Sequence, residues 1–155
     1  MDVIRAGIAD VDAAAPLFAS YREFYDRPYD IEASAAFLTA RLERDESVVL
    51  LARDGDRAVG FVQIYPAFSS TALAPIWILN DLYVDAEARG GGVVNRLLEA
   101  AAELAREAGC VAIELATQHT NHRAQAVYDR HGYIVDEEFR HYEKPLRQRP
   151  VINAE

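Results

Sequence analysis

The stretch from Ala88 to Leu98, ARGGGVVNRLL, sets an arginine and three consecutive glycines at the mouth of an apolar, helix-like run. Without side chains, glycine backbone can turn several N–H groups toward one anion. The start of a helix adds a partial positive charge, and Arg89 can add a full one. A loop that only needs unusual torsions is served by one glycine. Gly90, Gly91 and Gly92 beside Arg89 therefore predict an anion cradle. Two nucleotide motifs are excluded. A P-loop requires Lys and then Ser or Thr after its last glycine, where this chain has Val93 and Val94. A Rossmann fingerprint requires a third small residue for close helix–strand packing, where Asn95 stands.

A second patterned segment, NHRAQAVYDRHGY, runs from Asn121 to Tyr133. Together, LYVDAEARGGGVV and this segment resemble the GNAT N-acetyltransferase superfamily. The first matches that family's strand leading into an Arg-Gly-x-Gly-x-Gly/Ala loop. The second matches its Asn, Ala, Tyr, Gly and aromatic positions with Asn121, Ala124, Tyr128, Gly132 and Tyr133. The resemblance covers almost the whole chain. It implies an α/β (α+β) GNAT acyltransferase fold, a mixed, mostly antiparallel sheet of six to seven strands flanked by four helices. A single N-acetyltransferase domain is expected over 1–147, with a polar tail over 148–155. The implied reaction moves the acetyl group of acetyl-CoA to an amine by direct attack in a ternary complex.

The resemblance also implies roles. Backbone N–H groups of Arg89, Gly90, Gly91, Gly92, Val93 and Val94 would bind the cofactor pyrophosphate, with Asn95 adding a side-chain hydrogen bond. The strand backbone at Leu82, Tyr83 and Val84 would pair with the pantetheine arm as an added strand does. Asn121 and Ala124 mark a second gripping element, and Tyr128, two turns beyond Asn121, would be the general acid for the leaving thiolate. The family usually has Gly or Ala where Val94 stands, so Val94 narrows that site. Asp81 interrupts the apolar run WILNDLYV, where a carboxylate costs free energy unless it is paired or used. Direct proton abstraction, relay through a water, anchoring of the substrate ammonium and orientation of a loop all remain open for it. Asn80-Asp81 is also similar to the acidic pair of spermidine/spermine N-acetyltransferases. On the acceptor side, Tyr21, Glu23, Tyr25, Asp26, Tyr29 and Asp30 interleave aromatics with acids, a pattern that suits a cationic amine and equally a helix with an aromatic core face and a solvated acidic face. Tyr25, Tyr29, Asp81 and His119 are the substrate-binding candidates. His119 and His122 lack a placed Cys or carboxylate partner, so no metal is expected. Glu114 is expected to face solvent or a neighbouring helix.

These residues require elements that hold them. Val3–Ile8 reads as a strand, and Asp10 as a helix N-cap before Ala14, Leu17, Phe18 and Tyr21 at helical spacing. Pro28 breaks that helix. A second helix carries Ala35, Leu38 and Leu42. Ser47–Arg53 and the segment from Arg57 read as a hairpin with a type I′ turn at Asp54-Gly55. A strand over Ile76–Asp85 leads to the glycine loop, and the next helix has a core stripe of Leu97, Ala101, Leu104 and Ala108 with Gly109 as its stop. A strand over Val111–Thr117, a short helix over Asn121–Gly132, and strands over Tyr133–Glu137 and Phe139–Leu146 complete the chain.

Composition bounds the partners. The chain has 155 residues, 51% of them apolar, and a net charge of -9. That is one ordinary domain. Its acidity opposes non-specific nucleic-acid or membrane binding. Cys110 is the only cysteine, so it forms no intrachain disulfide and is expected to be a buried, inert thiol. The N-terminal residues lack a signal-peptide pattern and no apolar run approaches a membrane span, so the expected location is the cytoplasm. The expected acceptor is a small-molecule primary amine such as a polyamine or amino acid, and a homodimer is carried over from the family. The alternatives are a protein or peptide N-acetyltransferase and a non-catalytic acyl-CoA-binding sensor.

Overall fold

A computed structural model describes residues 1–148. The predicted tail therefore lies outside the described residues except for Gln148. The chain forms two compact units, Met1–Gln118 and the residues from His119 onward.

The first unit is a five-stranded sheet with helices on both faces. In chain order it contains β1 (Asp2–Arg5), α1 (Val11–Phe24), α2 (Ile31–Glu43), β2 (Val48–Asp54), β3 (Arg57–Ser69), β4 (Ala74–Val84), α3 (Val93–Glu107) and β5 (Ile113–Glu114). The strands lie in sequence order. The first four are antiparallel, and β5 joins β4 in parallel. The sheet is thus mixed and mostly antiparallel, with five strands among the described residues rather than six to seven.

Strand alternation divides the core into two layers. Val49, Leu51 and Phe61 face α1 and α2, where they pack with Ala14, Leu17, Phe18 and Leu38. The alternate residues face α3. Gly60 lies so close to that helix that a Cβ built on it would stand 3.0 Å from Val93 Cγ1 and 3.2 Å from Leu97 Cδ1. The buried stripe of α3 is Val93, Leu97, Leu98, Ala101 and Ala105. Leu104 is only half-buried and Ala108 is exposed. Leu97 and Ala101 of the predicted stripe belong to it, Leu104 and Ala108 do not, and Val93, Leu98 and Ala105 take part instead, with Val93 and Leu97 seated on Gly60.

Local chemistry accounts for the other departures. Asp10 occupies the N-cap position of α1 without capping it. Its carboxylate accepts from the Gly7 N–H at 2.9 Å and from Arg53 Nη2 at 3.2 Å. Asp30 caps α2, accepting from the Ala33 N–H at 2.9 Å. The hairpin loop is Gly55-Asp56, since Asp54 pairs with Arg57. Only Gly55 has a positive φ there, the pattern of a type II′ rather than a type I′ turn. Cys110 is free and half-buried rather than buried, and partial burial raises its thiol pKa.

β5 holds two paired residues, at Trp77 and Ile78, instead of the seven expected. The cause lies in β4. Gln63 pairs with Asp81 while Ile64 pairs with Leu79, so Asn80 is an extra, bulged residue. A bulge bends and twists its strand, and the parallel neighbour does not follow past it.

The second unit contains α4 (His122–Arg130), capped by the Asn121 side chain, which accepts from the Ala124 N–H at 3.1 Å. Gly132 follows with φ +83. The two strands expected after it are absent among the described residues. Asp136 Oδ1 accepts from the Glu138 and Phe139 N–H groups, both at 2.9 Å. This local turn competes with any strand ladder. Its neighbours Ile134, Val135, Phe139 and Tyr142 are exposed, so no packed face rewards their β propensity.

Candidate active site

Two neighbouring arrangements in the first unit carry the chemistry. The first lies at the C-terminal end of β4. Asp81 is 5% exposed. Its Oδ2 accepts from Gln63 Nε2 at 2.8 Å across the β3–β4 ladder, and its Oδ1 accepts from Asn80 Nδ2 at 3.1 Å. The Tyr21 hydroxyl adds a further bond to the carboxylate and lies 3.4 Å from the Asn80 carbonyl oxygen. Burial raises the carboxyl pKa above the ordinary range, opposed by the hydrogen bonds from Gln63, Tyr21 and Asn80. Tyr25 and Tyr65 feel the same charge. Burial, then Asp81, raises the Tyr25 pKa. For Tyr65, burial and then Asp81 push it up to about 12, against the opposing influence of Arg41. Tyr21 and Tyr25 stack edge-to-face with centroids 5.1 Å apart. The result is a buried carboxylate edged by three phenols.

The bulge places this group. Ordinary alternation would put Leu79 and Asp81 on one face. With Asn80 inserted, Leu79 pairs with Ile64 while Asp81 joins Gln63 on the face covered by α1. Bulges commonly re-aim a side chain in this way beside functional sites.

The second arrangement is the glycine loop. Gly90 and Gly92 have φ +84 and +79, a conformation that side-chain-bearing residues rarely adopt. Gly92 precedes α3, which has no side-chain cap and no acid in its first turn. A 15-residue helix left open in this way presents its positive end to an anion. Arg89 is fixed beside it, with Nε donating to the Val84 carbonyl oxygen at 3.1 Å and the guanidinium 5.7 Å from the Tyr83 ring centroid. Arg57 steadies the approach to the loop by donating to Asp85 at 2.6 Å and Glu87 at 3.0 Å. Asn95 is exposed on the first turn and Val94 is half-buried. Because β5 stops at the bulge, the edge of β4 over Leu82, Tyr83 and Val84 that faces away from β3 has no strand partner among the described residues. An extended acyl-carrier arm can pair with such an edge. The loop and the edge fit the diphosphate and amide groups of a coenzyme A.

Tyr29 is exposed between α1 and α2. Glu114 is exposed, as expected. In the second unit His119 is exposed, its carbonyl oxygen accepting from Gln125 Nε2 at 3.0 Å. Tyr128 is half-buried and packs on Tyr133 with centroids 5.7 Å apart. Among the described residues no three His, Cys, Asp or Glu side chains gather as a metal site, and no helix is long and apolar enough to cross a membrane. Gln63 and Tyr65 were not predicted. A signal for Gln63 existed, since it interrupts GFVQI as Asp81 interrupts its own strand, but only the register shows that the two interruptions meet.

An acyltransferase-like sheet with a split after β4, a helix N-terminus at the split and a buried carboxylate beside it defines the class. Residues 14–133 match the model of the acetyltransferase (GNAT) family, and the chain belongs to that family. It is 44% identical over 142 residues to the uncharacterized N-acetyltransferase YhfO of Bacillus subtilis (strain 168), spanning 92% of this chain and 95% of that one. It is 37% identical over 79 residues to a D-amino-acid N-acetyltransferase of Saccharomyces cerevisiae, 51% of this chain and 49% of the relative. A crystal structure of a probable acetyltransferase superposes with a TM-score of 0.89 at 44% identity, covering 96% of this chain and all of the other.

Proposed function

We propose that this protein, as a single N-acetyltransferase domain, transfers the acetyl group of acetyl-CoA to the primary amine of a small cationic molecule such as a polyamine or amino acid. The observation that carries this reading is the buried Asp81 carboxylate beneath Tyr21, Tyr25 and Tyr65. Phenol faces and a carboxylate together favour an ammonium ion. The partial match to a D-amino-acid N-acetyltransferase supports a small acceptor.

When bound, acetyl-CoA supplies the thioester from which the acetyl group is taken. Arg89, Gly90, Gly91, Gly92, Val93 and Val94 hold its diphosphate through backbone N–H groups, and the free edge of β4 holds its arm. Asp81 removes the proton from the acceptor ammonium. Its raised pKa brings it nearer to the working pH of a general base, and its tyrosine surround excludes water. Tyr128 donates its phenolic proton to the departing sulfur, and Asn121 orders the helix that carries it.

Thiol release from acetyl-CoA across diamines, free amino acids and peptide N-termini tests the proposal. Turnover is expected with small cationic amines, along with thermal stabilisation by acetyl-CoA that corresponds to about 2.7 kcal/mol at a hundredfold excess over Kd. Turnover confined to peptides would overturn the acceptor class. Stabilisation without turnover on any amine would make the protein a sensor.

A further inference from the structure

Gln63 is fully buried at the centre of the sheet, directly across the ladder from Asp81. One half of its amide has a partner, Nε2 donating to Asp81 Oδ2 at 2.8 Å. The other half has none among the described residues, because Oε1 is buried without a hydrogen bond. A buried polar atom left unpaired is a sizeable free-energy cost, and in native structures it calls for an explanation. A leucine or methionine would fill the same space without that cost. The donors around Asp81 are Gln63, Asn80 and Tyr21, all arranged for the charged carboxylate. If the carboxyl takes a proton, its new O–H needs an acceptor.

We propose that Gln63 is a positioning residue for Asp81, its amide holding the charged carboxylate through Nε2 and accepting the carboxyl hydrogen through Oε1 once Asp81 has taken a proton. The step balances at each atom. The ammonium N–H bond breaks, a carboxyl O–H bond forms, and turning the Gln63 amide by half a rotation exchanges its donor for its acceptor without forming or breaking a covalent bond. Rotation gives Oε1 a partner in the carboxyl hydrogen and moves Nε2 into the place that Oε1 held. The other ionisable groups facing this pair within the first unit are Tyr21 and Tyr25 from α1 and Tyr65 from β3, with Arg41 of α2 acting on Tyr65. Asn80 carries the other amide on this carboxylate, but Asn80 is exposed, so among the described residues only Gln63 holds an unpaired amide oxygen in the interior beside Asp81. The inference rests on the reading of Asp81 as the base.

The test uses Gln63→Met, Asp81→Asn and the wild-type chain. Loss of a hydrogen bond to a charged group is worth roughly one to two powers of ten. Gln63→Met also loses the weaker bond to the neutral carboxyl, so it is expected to displace the acid limb of the kcat/KM profile toward higher pH by the difference, lowering activity about tenfold on that limb and much less on the alkaline plateau. A uniform loss at every pH would mark a structural role and overturn the proposal. In the wild type, the Gln63 side-chain amide resonances are expected to titrate in step with the Asp81 carboxyl carbon, which is assigned by its loss in Asp81→Asn. This measurement needs no variant of Gln63 to fold. Amide resonances that stay still while Asp81 titrates would also overturn the proposal. If Asp81→Asn keeps the acid limb, the base reading fails separately, and the resonance measurement alone then decides the role of Gln63.

Discussion

Replacing Gly60 with alanine adds one methyl group at the closest approach between the sheet and α3. The new Cβ would stand 3.0 Å from Val93 Cγ1, 3.2 Å from Leu97 Cδ1 and 3.4 Å from the Tyr83 carbonyl oxygen. Val93 and Leu97 are 2% and 0% exposed, so neither can swing into solvent, and Val93 is held to one rotamer by its branched Cβ. Overpacking of this kind costs about 1–3 kcal/mol. Gly60 does not have a positive φ, so alanine is tolerated by its backbone and recovers about 0.4–1 kcal/mol through the unfolded chain. The overpacking term wins, leaving a net loss of about 1–2 kcal/mol. For a chain of this size that lowers Tm by roughly 2–8 °C. The functional consequence follows from Val93 being the first residue of α3. A helix pushed outward there moves the end that forms the anion cradle, so the KM for acetyl-CoA rises while the amine KM changes little. Gly109→Ala is the control. It meets open space but has φ +79, so it strains the backbone by about 1–2 kcal/mol and leaves the acetyl-CoA KM alone. Differential scanning fluorimetry and initial rates read both effects. A Gly60→Ala protein with unchanged Tm and unchanged acetyl-CoA KM would refute the close seating of α3 on β3.

Two further outcomes are expected. Because the folded pKa of Asp81 is raised by burial, the folded state binds its proton more tightly than the unfolded chain does, and wild-type stability falls as pH rises from the ordinary carboxylate range through the raised value. Asp81→Asn removes that fall, so its Tm relative to wild type improves as pH rises out of the ordinary carboxylate range, while activity is lost. A Tm difference independent of pH would contradict the assigned burial effect. Tyr128→Phe keeps the ring contact with Tyr133 and removes the hydroxyl, so kcat falls by about 10²–10⁴ with the acetyl-CoA Kd, measured by titration calorimetry, nearly unchanged. Unaltered kcat would remove Tyr128 from the acid role.

The cradle was readable in the sequence because its physics is local. Consecutive glycines, an arginine and a helix start are neighbours in the chain, and the positive φ values of Gly90 and Gly92 are what glycine is there to allow. Helix bounds were readable for the same reason, through Pro28, Gly109 and Gly132. The hairpin was placed correctly, but its turn type was not, since Asp54-Gly55 and Gly55-Asp56 differ by one position of register. The last two strands failed because strand propensity is realised only against a partner. Around Tyr133–Leu146 the Asp136 carboxylate bonds the nearby N–H groups instead.

The part of the site that sequence could not supply is the part that depends on register. Asp81 stood out as a charge in an apolar run, and pattern alone could not say which face it occupied. A regular strand would have aligned it with Leu79, which pairs with Ile64 on the other side of the sheet. The one-residue bulge at Asn80 reverses that outcome and also ends the pairing with β5 at Ile78. One insertion therefore does two things. It turns a carboxylate toward the tyrosines of α1 and β3, and it frees the adjoining strand edge for an extended ligand. A sequence pattern of period two carries no trace of either, because the bulged residue is an ordinary asparagine whose position matters only relative to β3. Deleting Asn80 would restore the alternation, so Asp81 would have to leave Gln63 or the whole C-terminal half of β4 would have to slip by one residue. Either change breaks the ladder that joins Gln63 to Asp81, and this coupling makes the bulge, more than any single side chain, the element on which the geometry of the site depends.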